Sequence, residues 1–246
     1  MTDIRVKLAG VPVLIRAMDS KIGAFLRDYR SEEEPQLTIS MEQADIDRER
    51  RLGEENRRLE GLRPLECSDY YLETLAIYRK LAASLIQRDI LLFHGSAIAV
   101  DGKAYLFTAK SGTGKSTHAR LWRQRFGERA VMINDDKPLL RIRSEGVEVF
   151  GTPWNGKHRL GGNLSAPLKA LCLLQRDKVN HIETVSPEDA FPVLLQQSFH
   201  VETGEGMLRV MELLDTLSKN VKLYRLGCNM EPEAAEIAYR GMQEDC

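Results

Sequence analysis

The sequence predicts an α/β protein built around a phosphate-binding loop, with a small α+β domain in front of it. Three observations predict this. Residues 109–117 read Ala-Lys-Ser-Gly-Thr-Gly-Lys-Ser-Thr and lie between an apolar run, Ala104-Tyr105-Leu106-Phe107, and a helical pattern. That is the strand–loop–helix setting of a P-loop. From residue 90 onward, short apolar runs alternate with stretches of helical periodicity. The first third differs, with a hairpin pattern followed by a long charged segment. The expected organisation is a small N-terminal α+β domain over 1–67, a connecting helix over 68–89 and a P-loop domain over 90–246.

Ile4 to Ile15 alternates around Ala9-Gly10 and predicts a hairpin. Ile22, Phe25, Leu26 and Tyr29 recur at helical spacing, and Ser31-Glu32-Glu33-Glu34-Pro35 ends that helix. Gln36 to Ser40 is a short strand. Asp45 to Glu60 is almost all charge of both signs, which predicts a solvated helix or mobile segment rather than a nucleic-acid surface. Ser68 is placed as the N-cap of a helix to about Gln87, with Tyr71, Leu75, Tyr78, Leu81 and Leu85 as its buried stripe. Ile90 to Ala109 predicts a second hairpin, Leu91–Val100 and Lys103–Thr108, turning at Asp101-Gly102. Strands are expected at Ala130–Asn134, Leu139–Arg143, Val147–Phe150, Leu168–Leu174, Ile182–Val185 and Val221–Leu226. Ser186-Pro187-Glu188-Asp189 opens a helix, with a cap, a proline in the first turn and early acids. Further helices cover Met207–Leu217 and Glu233–Met242.

Composition narrows the function classes. The chain has 246 residues, 43% apolar and 29% charged, with a formal net charge of −1. That balance gives no bulk attraction to nucleic acid or to an anionic membrane. No apolar run approaches the roughly 18 residues of a membrane span, and the N-terminus lacks the apolar core of a signal peptide. Cys67, Cys172, Cys228 and Cys246 are scattered and form no Cys-x-x-Cys pair, against a zinc site or a disulfide framework. The expectation is a cytoplasmic protein with reduced thiols.

The loop carries the chemistry. Gly112 and Gly114 let the backbone turn its N–H groups toward an anion, and the following helix adds its positive end. Ser111, Gly112, Thr113, Gly114, Lys115, Ser116 and Thr117 form the expected nucleotide-binding set. Lys115 is placed on the β- and γ-phosphates and the Ser116 hydroxyl on Mg²⁺. The usual first glycine is Ala109, which tolerates fewer backbone angles. Asn134-Asp135-Asp136 ends a strand about twenty residues later. One carboxylate there can hold Mg²⁺ and the other can take a proton from an attacking hydroxyl; the alternative is a solvated turn. His94 belongs to the strand paired with the one that feeds the loop, placed either to meet the γ-phosphate or as a structural strand histidine. Thr152 to Gly162 is glycine-rich and basic. Lys157 or Arg159 can neutralise a transferring phosphoryl group and Trp154 can floor a pocket, against the alternative of a solvated loop. His118, His181 and His200 show no metal-ligand spacing, and His118 is expected on the exposed side of the P-loop helix.

Together, His94-Gly95, the loop Ser111 to Ser116 and Asp135-Asp136 resemble the kinase domain of HPr kinase/phosphorylase, and also the ATP-dependent phosphoenolpyruvate carboxykinases that share its nucleotide-binding fold. The resemblance covers roughly residues 90–175. It implies a mixed sheet flanked by helices, of the phosphoenolpyruvate carboxykinase-like type. It implies ATP as donor and Mg²⁺ as cofactor, with Lys115 and Ser116 on the nucleotide phosphates. Asp135 and Asp136 would serve metal and base, and His94 would lie near the transferred phosphate. The smaller relatives phosphorylate serine on other targets, including peptide precursors in bacteria. The expected catalytic set is Asp136, Asp135, His94, Lys115 and Arg159, with Ser116 and Asp135 as metal ligands; Asp136 is preferred as base, although neighbouring carboxylates can exchange roles. The expected partner is a protein, peptide or small-molecule hydroxyl substrate. No nucleic acid or membrane is expected. The N-terminal region would recognise the substrate or mediate assembly into a homo-oligomer. Two other readings stay open: a carboxykinase-like enzyme acting on a small acid, and a nucleotide-sensing module without catalysis.

Overall fold

The structure, a computed structural model, describes residues 1–243; Cys246 lies outside the described residues. The chain divides into two compact units, Met1–Ser84 and a second from Leu85 onward.

In the first unit, β1 (Thr2–Leu8) and β2 (Val11–Ala17) pair antiparallel through Ala9-Gly10. Both turn residues have positive φ, 45° and 72°, the two-residue turn that matches strand twist. Ile4, Val6, Leu8, Val13 and Ile15 are buried. A one-turn helix, α1 (Ile22–Phe25), leads to β3 (Leu37–Ser40), which joins β2 in parallel. The charged run forms α2 (Gln43–Leu59), opened by a capping box between Glu42 and Asp45. Only Ile46 and Glu49 of α2 are buried, and Glu49 pairs with Arg79 of α3 (Asp69–Leu85).

The buried face of α3 differs from the expected stripe. Tyr71 is exposed and Leu75 and Tyr78 are only partly buried, whereas Leu72, Glu73, Ala76, Ile77, Leu81 and Leu85 are inside. Glu73 sets this rotation. It is 1% exposed, and its carboxylate accepts the Met18 and Asp19 amides at 2.6 and 2.9 Å. A buried carboxylate needs such donors, so the helix turns Glu73 inward and moves the aromatic ring of Tyr71 out.

The second unit holds β4 (Ile90–Leu92), β5 (Ser96–Val100), β6 (Lys103–Thr108), α4 (Lys115–Phe126), β7 (Ala130–Asn134), β8 (Leu139–Arg143), β9 (Gly146–Phe150) and β10 (Ser165–Arg176). It continues with β11 (His181–Thr184), α5 (Pro187–Gln197), α6 (Gly204–Asn220), β12 (Lys222–Cys228) and α7 (Glu233–Gln243). The sheet is mixed, in the order β4-β8-β9-β10-β6-β5-β7, with β12 also on β10 and β11 on β12. β10 is the hub. Its first residues pair antiparallel with β9, and its later ones run parallel to β6 and β12. β6, β10 and β12 therefore end on the same edge.

Alternation along β6 separates two cores. Leu106 faces a cluster containing Leu194 of α5 and Val210, Leu213, Leu214 and Leu217 of α6. Tyr105 and Phe107 face a second cluster with Trp122 and Phe126 of α4 and Ala234 and Ala238 of α7. Helices thus cover both faces, as a sheet with parallel central strands requires.

The second hairpin is a correction. The expected strand Leu91–Val100 is two strands: β4 pairs with β8, and only β5 pairs with β6. The chain breaks at Phe93-His94-Gly95. There the His94 amide donates to Gln197 O (2.7 Å) and the Gly95 amide to Asp136 O (3.1 Å), outside the β5–β6 ladder. A Cβ on Gly95 would lie 2.8 Å from Leu106 Cδ1, so glycine permits this close passage.

Candidate functional site

β6 delivers the chain to the loop and α4 begins at Lys115, with Gly114 as its N-cap. Gly112 and Gly114 have φ of 78° and 126°, angles that favour glycine. Ala109 is buried, and its backbone needs no positive φ. Its side chain is therefore accommodated without altering the loop, and its carbonyl accepts the Lys115 ammonium at 2.9 Å. Burial lowers the Lys115 pKa, opposed by the charges of Asp136 and Asp135. Arg176, at the end of β10, donates to the carbonyls of Gly112 and Thr113 and ties the loop to the next strand.

The acid pair follows β7. Asn134 is fully buried and shapes it. Its side-chain oxygen accepts the Asp136 and Lys137 amides at 2.8 and 2.7 Å. Its amide donates to Thr152 O and Oγ1 at 3.2 and 2.9 Å. The resulting turn aims the two aspartates differently. Asp135 is 6% exposed and its Oδ1 accepts from Ser96 Oγ at 2.6 Å. Burial raises its pKa, while hydrogen bonds to Ser96 and to Ser116 of the P-loop pull it back. Asp136 is more open. Its Oδ1 lies 3.5 Å from His94 Nε2 and 3.5 Å from Lys137 Nζ. Burial, then the charges of Lys137 and Lys115, push His94 down to about 4, so its imidazole is neutral at neutral pH.

Residues from four segments thus meet: His94 and Ser96 around the start of β5, Lys115 and Ser116 at the start of α4, Asp135 to Lys137 after β7, and Gln197, whose side chain hydrogen-bonds His94. The sequence does not single out Ser96, Lys137, Arg176 and Gln197. Lys137 adjoins the acid pair and Ser96 lies two residues from His94, so both were within reach. Arg176 and Gln197 arrive through β10 and α5, which no local pattern indicates.

The glycine-rich segment lies over the end of β7. A Cβ on Gly151 would sit 1.9 Å from Gly162 O, and one on Gly161 2.6 Å from Ile133 O. Gly156 packs against Asp135 O and Asp136 Cβ. Trp154 is buried. Lys157, His158 and Arg159 are exposed, and of these it is His158 whose charge acts on Asp135.

His118 is a correction. It is 2% exposed, not on the open side of α4. Its Nε2 accepts the Trp122 indole N–H at 2.9 Å and its ring packs edge-on against Phe107. The apolar face of α4 is wider than the stripe of Ala119, Trp122 and Phe126, and reaches His118 and Leu121.

Among the described residues no group of three or more His, Cys, Asp and Glu side chains gathers as a metal set. The oxygens of Ser116 and Asp135 nevertheless suit Mg²⁺, which commonly takes one or two protein oxygens and completes its shell with phosphate and water. Among the described residues no helix is long and apolar enough to cross a membrane.

No protein-family model matches the chain, and no curated protein matches it in sequence. Among solved structures, the HPr(Ser) kinase/phosphatase from Coxiella burnetii is similar with a TM-score of 0.36 and 11% identity, over 62% of this chain and 95% of that one. Likeness at that level carries no argument about chemistry, so the functional reading rests on this chain's own residues.

Proposed function

We propose that this chain is a Mg²⁺-dependent, HPr kinase-like phosphotransferase that moves a phosphoryl group from ATP or a related donor to a hydroxyl, a serine of a protein or peptide. The observation that supports it is the approach of the acid pair to the phosphate loop, where burial raises and Ser116 lowers the Asp135 pKa and the charges of Asp136 and Asp135 act on Lys115. Lys115 and the loop amides hold the phosphates. Mg²⁺, held by Ser116 and Asp135, would neutralise phosphate charge. Asp136 is the open carboxylate and accepts the hydroxyl proton. His94, neutral, stands beside Asp136 and near the transferred phosphate. Arg159, exposed on the segment that overlies the acid pair, supplies positive charge to the transferred group.

The test uses Mg²⁺, labelled ATP and a cell lysate, with phosphoserine read by mass spectrometry. Asp136→Asn is expected to lower transfer by about 10²- to 10⁴-fold, the usual weight of a general base. ATP affinity should stay within about tenfold, ~1.4 kcal/mol. Normal transfer by Asp136→Asn would remove the base assignment. ATP binding that ignores Lys115→Ala would remove the whole reading.

A further inference from the structure

A cleft of about 620 Å³ opens between the phosphate loop, the end of β10, β12 and α5. Its volume falls within the usual range of ligand sites. Lys110, Gln175, Arg176, Gln196 and Arg225 give it a polar lining. Among the described residues no Asp or Glu lines it, and no residue of α4 does. The cleft is therefore cationic and lies outside the grip made by Lys115 and Ser116.

Its cations are unequally engaged. Lys110 is exposed and, among the described residues, forms no ion pair. Arg176 donates to the carbonyls of Gly112 and Thr113. Those carbonyls are neutral, so its positive charge stays uncompensated. Arg225 shares its charge with Glu183 at 2.9 Å, a pair open to water. Guanidinium and ammonium groups so placed suit carboxylates. Gln175 and Gln196 add amides that can both donate to and accept from a peptide backbone.

α5 ties this cleft to the acid pair. Gln196 is followed by Gln197, whose carbonyl accepts the His94 amide at 2.7 Å and whose side chain hydrogen-bonds the imidazole. His94 Nε2 in turn lies 3.5 Å from Asp136 Oδ1. In phosphoryl transfer the attacking and leaving oxygens stand roughly in line across the phosphorus. A segment lying along the end of α5 can therefore present a hydroxyl to Asp136 while its neighbouring residues occupy the cleft. We propose that the cleft holds acidic residues flanking the acceptor serine, so that the substrate is an acidic peptide segment. The inference rests on the reading of the chain as a serine phosphotransferase. The transfer itself is unaltered: the serine oxygen bonds to the γ-phosphorus, the bond to the ADP oxygen breaks, and the serine proton goes to Asp136. Lys110 and Arg225 touch no reacting atom and act by selecting and steering the acceptor, as complementary charge does at a binding face.

The experiment gives the full chain Mg·ATP and degenerate peptide libraries centred on serine, with the flanking positions fixed as Asp and Glu, as Asn and Gln, or as Lys. The wild type should use the acidic library at least about tenfold better in kcat/KM than the amide library, and the Lys library least. That preference should shrink as salt rises. Lys110→Ala and Arg225→Gln should each raise KM for the acidic library at least about fivefold, with kcat, the amide library and calorimetric Mg·ATP affinity all within about twofold. Equal use of the acidic and amide libraries by the wild type overturns the acidic site and leaves the phosphotransferase reading standing. So does a Lys110→Ala loss that falls on Mg·ATP instead of on the acidic library. Binding of Mg·ATP with no library phosphorylated overturns the serine-peptide acceptor, and this site with it. If Arg225→Gln fails to fold, the wild-type preference and Lys110→Ala, whose side chain is exposed, decide the matter.

Discussion

Asn134→Ala isolates what holds the acid pair in place. The side chain makes four hydrogen bonds, two accepted from the Asp136 and Lys137 amides and two donated to Thr152. All four sit where water does not reach, since Asn134 is 0% exposed. At about 1 kcal/mol net per bond, with extra cost for amides left unpaired, the loss comes to about 3–5 kcal/mol. That is a large share of the 5–15 kcal/mol typical of a domain. Urea unfolding of the second unit should show the midpoint shift with little change in slope. Below the midpoint, the folded variant should lose phosphoryl transfer, because the turn that separates Asp135 from Asp136 is gone, while ATP binding at the loop persists. A loss under 1 kcal/mol with full transfer would refute the claim that Asn134 shapes the site.

Other outcomes follow from single features. Burial holds His118 down to about 3, so the folded protein binds fewer protons there than the unfolded chain, whose imidazole titrates near 6.5. The contribution is complete above pH 6.5 and is lost as pH falls from 6.5 toward 3. His94, lowered to about 4, acts in the same sense. His118→Gln should flatten the fall of unfolding free energy between pH 6.5 and 4.5, and an unchanged slope counts against this. Gly161→Ala should cost at least about 2 kcal/mol in urea unfolding, since φ is 133° and the new Cβ would lie 2.6 Å from Ile133 O; a neutral substitution would show that the backbone yields. Arg176→Ala should weaken Mg·ATP several-fold in calorimetry without unfolding the chain, by freeing the carbonyls of Gly112 and Thr113. Unaltered affinity would mean that the loop holds its shape alone.

Much of this was legible because it is local. The P-loop announced itself through residues consecutive in the chain, and the caps at Ser186 and the turn at Ala9-Gly10 are written in two to four residues. The acid pair could be read as a strand end, but not its division of labour, because the partners of Asp135 and Asp136 come from β5, α4 and the break before β5. Sequence pattern runs straight through that break, since Leu92-Phe93 is as apolar as the strands beside it, and only the tight passage at Gly95 reveals the exit. The position of His118 escapes sequence pattern for a related reason. A histidine on a helix reads as polar until an indole N–H is found beneath it. Glu73 repeats the lesson in the first unit, where a charge between apolar residues points inward to two amides that no periodicity encodes.

β10 has a further consequence. Its opening residues, Ser165 to Pro167, belong to the ladder with β9, and from Ala170 to Leu173 the same chain is held on both sides by β6 and β12. Fraying one flank exposes the strand that supports the other, so the second unit should melt as one cooperative body. The slowest amides to exchange with deuterated water should then lie in Leu171 to Leu173, with the ends of α2 and the Lys157–Arg159 tip exchanging first.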